Sequence, residues 1–450
     1  MRVPDCYHVV RRITISFTSQ RRSRYAPFMK QFTFIERRAS PIDSLGILVS
    51  DRYRTIPEAR VIDILLLAGW AFELELGGCV EAITQTRSAL ERWIDLGLGF
   101  QRDGDGRRYF DPVEVVNFLI WTGRLGLDRF WADHYVNTGR ALVVEHAQTD
   151  LTKQLHLTLQ RRFDLQQFEP GDRVRLRLPV PLDCAYVTDL TMSPVVAPSL
   201  SAMVSFDAGR MEVRLKTPAT QAVEIGVNLN CTAAPACSNL KQLTPAEEEI
   251  YRRPAEGIIR VSSRIQDLAD ALAGTIDKPW DILRSFWAYM MDHLWCGAIH
   301  YDQVPAEEAC DWVLNHKWYD CQLGSALFVS LCRARGIPAR MVSGNVLYRL
   351  APTNHFWAEA WIDGYGWAPF DFASWGLSLG GVDAAWREHF FGKTDFRLVT
   401  QILPLTFTGP MSTRFPPAWH MVQTGVPGGV SIEFLELDGR LIYEDSVLLR

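Results

Sequence analysis

The sequence predicts an α+β protein built in three parts, with a change of hydrophobic period at each boundary. Apolar residues recur at helical spacing through roughly residues 36–150 and alternate one by one over roughly 151–240. They return to helical spacing in 241–450 before a final set of alternating runs. A chain of 450 residues is too long for one core, so several domains are expected. Its 48 % hydrophobic and 22 % charged residues suit a soluble globular protein. The net charge of −5 gives no reason to expect a nucleic-acid or anionic-membrane partner, and no apolar run reaches the roughly 18 residues of a membrane span. Nine cysteines, an odd number without a signal-peptide pattern, argue against a disulfide framework and for a reducing, cytoplasmic setting. None forms a C-x-x-C pair, and Cys231 and Cys237 have no histidine nearby. Neither a metal nor another cofactor is expected.

Residues 1–35 carry Arg2, Arg11, Arg12, Arg21, Arg22 and Arg24 against a single acid, Asp5, and read as a disordered basic arm with some likeness to a transit peptide. In 36–150, Pro57 opens a helical pattern from Val61 through Leu76, Gly77 and Gly78 stop it, and Val80 to Leu96 continues it. Asp103-Gly104-Asp105-Gly106 is a turn: the glutamate that a calcium loop needs six positions after its glycine is replaced by Pro112. Val113 to Leu125 and Leu127 to Ala141 supply further helix, and no catalytic constellation is visible in this region.

Strand alternation follows in Leu155-Leu157-Leu159, Val174-Leu176-Leu178, Met211-Val213-Leu215 and Val223-Ile225-Val227-Leu229, which predicts a β-sandwich-like domain. His156 falls on its solvent face. Thr244-Pro245-Ala246-Glu247 then restores helix through a capping box. Helical runs at Ile265–Leu272, Trp280–Leu294 and Ala306–Leu314 lead to the stretch that carries chemistry. Beyond it, Arg397–Thr406 and a hairpin over Val430–Leu449 are expected to extend the same C-terminal domain.

That stretch runs from Trp318 to Asp371. Leu323, Leu327 and Leu331 make an apolar helix that stops at Gly336-Ile337-Pro338, which puts Cys321 in its first turn. There the helix dipole favours negative charge and is expected to lower the thiol pKa, and the unpaired N–H groups can stabilise an oxyanion. Cys332 in the same helix lacks that location. In His355-Phe356-Trp357-Ala358-Glu359-Ala360-Trp361, alternation puts His355, Trp357, Glu359 and Trp361 on one strand face. A turn at Asp363–Gly366 returns the chain through Trp367 to Asp371. A three-residue loop (Asp363 to Tyr365) pairs Ile362 with Gly366 and sets Asp371 diagonal to His355 on the same face. A four-residue loop would turn it to the other face. Cysteine, histidine and aspartate in this arrangement are what thiol-based acyl transfer requires.

These segments resemble the transglutaminase-like superfamily. Cys321 lies fifteen positions before Gly336 of GIPAR, and HFWAEAW followed by GWAPFD is similar to the family's His-x-Trp-x-Glu, Gly-Trp and Asp pattern. The likeness covers about residues 280–375 and implies a papain-like core, with a helix-start cysteine packed on an antiparallel sheet that carries histidine and aspartate. By this resemblance Cys321 is the nucleophile, His355 the base and then the acid, and Asp371 the residue that orients the imidazole. Two features depart from the family pattern: Tyr319-Asp320 precede the cysteine and Gln322-Leu323-Gly324-Ser325 follow it, and Phe372 stands where proline is common after the aspartate. The oxyanion side chain is open between Asn315, Trp318 and Tyr319, while Trp318, Tyr319, Asn354, Trp357, Trp361 and Trp375 are the cleft candidates.

The implied reaction forms an acyl-enzyme from an amide or thioester of a protein, peptide or carrier protein, and an amine or water resolves it. Amide-bond formation and hydrolysis by a peptidase or amidase differ only in that second nucleophile. A reading from another class is a non-catalytic interaction module.

Overall fold

The computed structural model describes residues that fall within 56–61, 79–118, 153–234, 242–347, 353–372, 388–402 and 419–449. The basic arm at 1–35, the Val61–Leu76 run beyond Val61, the whole Leu127–Ala141 run, and Trp375 lie outside the described residues.

In the first region β1 (Ile56–Pro57), α1 (Cys79–Asp95), β2 (Gln101–Arg102) and β3 (Arg108–Phe110) are described, and the three strands form one small antiparallel sheet. Asp103 makes the turn between β2 and β3: its carboxylate accepts the Asp105 and Arg107 amides at 3.0 and 2.9 Å. The region was expected to be a separate helical domain. Its buried Val61, Leu90, Trp93, Phe110 and Phe118 instead belong to the same apolar cluster as the C-terminal helices. A segment of this size buries its apolar face best against a larger neighbour.

The middle region is a sandwich. Its strands are β4 (Lys153–Asp164), β5 (Arg173–Pro179), β6 (Val187–Val196), β7 (Met203–Asp207), β8 (Arg210–Lys216) and β9 (Ala222–Ala233). β5, β8 and β7 make one sheet, while β4, β9 and β6 belong to the other. Val174, Leu176 and Val213 of the first meet Leu157, Ile225 and Leu229 of the second in one core. β6 and β7 were not read from sequence, because Thr188-Asp189 and Ser205 interrupt the apolar alternation.

The C-terminal part runs α2 (Pro245–Tyr251), β10 (Ala255–Glu256), β11 (Ile259–Arg260), α3 (Ser263–Ala273), α4 (Pro279–His293), β12 (Trp295–Cys296), α5 (Ala309–His316), β13 (Trp318–Tyr319) and α6 (Cys321–Ala334). The Thr244 capping box forms, with the Glu247 amide on Thr244 Oγ1 at 3.3 Å and the Thr244 amide on Glu247 at 2.8 Å. Four antiparallel strands follow: β14 (Ala339–Val346), β15 (Thr353–Ile362), β16 (Gly366–Phe370) and β17 (Arg397–Ile402), in the order β16-β15-β14-β17. α6 is buried along its length, and Leu323, Leu327 and Phe328 pack with Ala358, Ala360 and Phe370 of the sheet. Gly344 allows β17 to come close: a Cβ there would stand 1.7 Å from the Leu398 carbonyl oxygen.

The last strands, β18 (Trp419–Val426), β19 (Gly429–Glu436) and β20 (Leu441–Leu449), correct the expected boundary of the C-terminal domain. The hairpin over Val430–Leu449 does not extend the α6 domain. β20 pairs with β4, so the chain returns to complete a six-stranded sheet of the sandwich in the order β18-β19-β20-β4-β9-β6. The pairing covers the edge β4 would otherwise expose. Arg161 and Asp445, 2.6 Å apart, lock it.

Candidate active site

Cys321 is the first residue of α6, and Asp320 is its N-cap: the carboxylate accepts the Leu323 amide at 2.8 Å. The cysteine is partly buried, and the Phe356 backbone N–H, one residue past His355, donates to its sulfur. The start of α6 and the first residues of β15 therefore meet at the thiol.

The loop between β15 and β16 has three residues. Ile362 pairs with Gly366 and Ala358 with Phe370, so Asp371, the next residue, comes opposite Trp357. Gly364 supplies the left-handed conformation this turn needs, at φ 76°. His355 Nε2 then lies 2.9 and 3.0 Å from the two Asp371 oxygens, with both residues buried. A carboxylate only accepts hydrogen bonds, so Nε2 carries the proton and Nδ1 is the basic nitrogen.

Arg397, at the start of β17, adds a partner that the sequence did not reveal. Its Nη1 donates to Asp371 at 2.8 Å, and both side chains are fully buried. Its guanidinium stacks 4.9 Å from the Trp357 ring centroid. Arg397 lies 26 residues beyond Asp371, and only the β14–β17 pairing brings the two together.

The thiol is not poised as its helix position suggested. Burial pushes the Cys321 pKa well above 9.0, the Asp320 carboxylate pushes it further, and the Phe356 amide only partly opposes them. Burial likewise raises Asp320, and it raises Tyr301 well above 10.0, with Asp320 and Cys321 adding to the Tyr301 shift. The Tyr301 hydroxyl donates to Asp320 and lies 3.2 Å from Gln322 Oε1. Asp directly before the cysteine is a capping residue type and could have been read as such. Tyr301 had no signal beyond its place in the connector.

That connector is held from the N-terminal region. Asn117 Nδ2 donates to the Ala298 carbonyl at 3.1 Å and its Oδ1 accepts the Ala298 amide at 2.7 Å. His300 Nε2 lies 2.9 Å from Asp111, both buried. Gly297 permits the approach: a Cβ there would stand 2.0 Å from the Trp318 ring and 2.5 Å from Asn117 Oδ1.

The cleft candidates fare unevenly. Trp318 is buried and its indole N–H donates to Ala298 at 3.1 Å, which commits the group an oxyanion would need. Tyr319 is buried with its ring against Gly324. Trp357 is wholly buried on the sandwich side and donates to Glu359 at 3.2 Å. These three are packing residues, because the loop, helix and sandwich each close over an aromatic ring. Trp361, also buried, donates to Asp363 at 3.1 Å. Asn354 is exposed at the start of β15, and Asn315 is an exposed acceptor for Arg264.

Residues 266–372 match the family model described as the transglutaminase-like superfamily. No curated protein sequence matches the chain significantly. Among solved structures, a candidate cysteine protease from Cytophaga hutchinsonii is similar at 17 % identity and a TM-score of 0.39, over 67 % of this chain and 100 % of that one. The periplasmic domain of TgpA from Pseudomonas aeruginosa aligns at 14 % identity and a TM-score of 0.29, over 56 % and 96 %. A candidate protease from Parabacteroides distasonis aligns at 11 % identity and a TM-score of 0.24, over 65 % and 69 %.

Proposed function

We propose, from the membership of residues 266–372 in the transglutaminase-like superfamily, that this protein is a cysteine-dependent acyl-transfer enzyme. The observation that carries the reading is the His355–Asp371 pair at 2.9 Å, with the amide of Phe356, the residue after the histidine, on the sulfur of a helix-start cysteine. Nδ1 of His355 takes the proton from Cys321 Sγ as the sulfur attacks an amide or thioester carbonyl, and the same imidazolium returns it to the leaving group. The Asp320 cap engages the Gln322 and Leu323 amides, so the oxyanion is met by the N–H of Cys321 itself. Water or an amine then attacks the acyl-enzyme, giving hydrolysis or a new amide bond. The raised thiol pKa supports attack by a thiol that is deprotonated during the reaction.

The acyl donor is a protein, peptide or carrier-protein thioester, and no cofactor takes part. Cytoplasmic residence belongs to this reading on the sequence alone, from an odd number of cysteines spread along the chain. The test is intact-mass detection of an acyl adduct on wild type and its absence from Cys321→Ala, with peptides and carrier-protein thioesters offered separately. An adduct that persists in Cys321→Ala rejects the reading, and unchanged mass with every donor favours an interaction module.

A further inference from the structure

The outer face of the β5-β8-β7 sheet is basic, in a chain whose net charge is −5. Strand alternation turns Val174, Leu176, Met211, Val213 and Leu215 into the sandwich core and their neighbours outward. Arg173, Arg175 and Arg177 face out on β5, and Arg210, Arg214 and Lys216 on β8. Among the outward positions of these strands only Glu212 and Asp207 oppose them, so the face holds four more bases than acids. The register also sets like charges together: Arg173 is directly opposite Lys216, and Arg175 directly opposite Arg214. Such pairs weaken a sheet. Arg214 donates to Glu212 at 2.8 Å, and Arg177 and Arg175 lie 3.5 and 3.8 Å from the same carboxylate. Arg173 and Lys216 form no ion pair among the described residues.

Charge on an edge strand keeps other chains from adding to it, and β5 is an edge. β8 is the central strand, so edge protection does not account for Arg214 and Lys216. Beside the basic positions lies an apolar margin. The exposed large hydrophobic residues of the described chain are Met203, at 72 %, and Phe206, at 42 %, both on β7, and Met203 is opposite Arg214. Arginine, methionine and phenylalanine are residue types enriched where proteins bind proteins. We propose that this face docks an acidic polypeptide segment of a partner protein. Its carboxylates engage Arg173, Arg175, Arg214 and Lys216, and its apolar side chains cover Met203. Glu212, set among three guanidiniums, shows that the face accepts a carboxylate. Successive outward residues of β5 repeat at about 7 Å, the spacing of alternate side chains in an extended peptide laid along it. A phosphate chain fits less well, because Glu212 and Asp207 would repel it and Met203 offers it no partner.

The docking surface does not rest on the acyl-enzyme reading, because its readout is binding. Fluorescence anisotropy on the full chain at low salt, with a labelled Glu-Glu-Leu repeat peptide, a Lys-Lys-Leu repeat and an oligothymidylate as probes, tests it. Saturable binding of the acidic peptide is expected, weakening as salt rises, with none of the basic one. Arg173→Thr combined with Lys216→Thr is expected to bind the acidic peptide about tenfold more weakly. The same double variant should melt at or above wild type, since two strand-forming residues replace a like-charge pair. No saturable binding of the acidic peptide, equal affinity in the double variant, or tighter binding of the oligothymidylate overturns the proposal. A lower melting temperature in the double variant also overturns it, by showing that the pair supports the sheet. Self-association of wild type that the double variant loses would give the face to a second copy of the chain, and overturns it too.

Discussion

Asp371→Asn removes one negative charge from a fully buried pair and leaves the shape almost unchanged. Arg397, with no side-chain exposure, then keeps its positive charge opposite a neutral amide at what was a 2.8 Å contact. An uncompensated buried charge of this kind costs about 3–5 kcal/mol. The amide oxygen can still accept one hydrogen bond, so the lower end of about 3 kcal/mol is expected. At about 2–4 °C per kcal/mol, the unfolding of the α6 domain shifts down by roughly 6–12 °C. The informative comparison is Asp371→Leu with Arg397→Met, which removes both charges and replaces them with apolar bulk. Such replacements are close to neutral where the single ones are severe, so the double variant should melt above either single variant, with a coupling of at least about 2 kcal/mol. Thermal unfolding followed by circular dichroism on the four proteins closes the cycle. Equal melting of Asp371→Asn and wild type, or single penalties that simply add in the double variant, would show that the buried pair is not the electrostatic unit described.

Activity separates the members of the site: at a temperature where both variants are folded, His355→Ala should abolish turnover, whereas Asp371→Asn leaves a measurable remainder because the imidazole itself is kept and loses its orientation and tautomer control. One glycine inserted after Gly364 should eliminate turnover while far-ultraviolet circular dichroism stays native, because it shifts the register that pairs Ile362 with Gly366 and turns Asp371 to the other face. Retained activity would refute the register argument. Asp320→Asn keeps an N-cap and removes the charge that helps to raise the Cys321 thiol, so iodoacetamide should label Cys321 faster at neutral pH, read by mass spectrometry. Burial pushes Cys231 and Cys310 up from 9.0 to about 11. Their contribution to stability is complete below pH 9 and is lost as pH rises through about 11, about 2–3 kcal/mol each. The melting temperature of wild type should fall over that window, and that of Cys310→Ala should fall less steeply.

The arrangement of the candidate site was legible because each of its parts is a short-range property. A capped apolar run places Cys321 at a helix start, a period of two places His355 on a strand face, and the residues between Ile362 and Gly366 set the return of Asp371. The sandwich strands with clean alternation, such as Val223 to Leu229, were readable for the same reason. β6 and β7 were not, because polar residues break their pattern. The helix dipole pointed to a thiolate, but the field at Cys321 is set by burial and by Asp320, and burial depends on everything packed around the thiol.

Tertiary structure decided what distant segments do to one another. Arg397 meets Asp371 across 26 residues, Asn117 holds Ala298 across 181, and Asp445 meets Arg161 across 284. A hydrophobic period tells a strand which face to bury but not which edge to pair with. β20 could extend the β14–β17 sheet or the sandwich on local pattern alone, and it joins β4 because that edge and that apolar face remain to be covered. The residues of the Cys-His-Asp set are written in 51 positions of local sequence, from Cys321 to Asp371. Their electrostatic setting comes from groups spread between Cys296 and Arg397, since charge in a low-dielectric interior acts through space regardless of sequence separation.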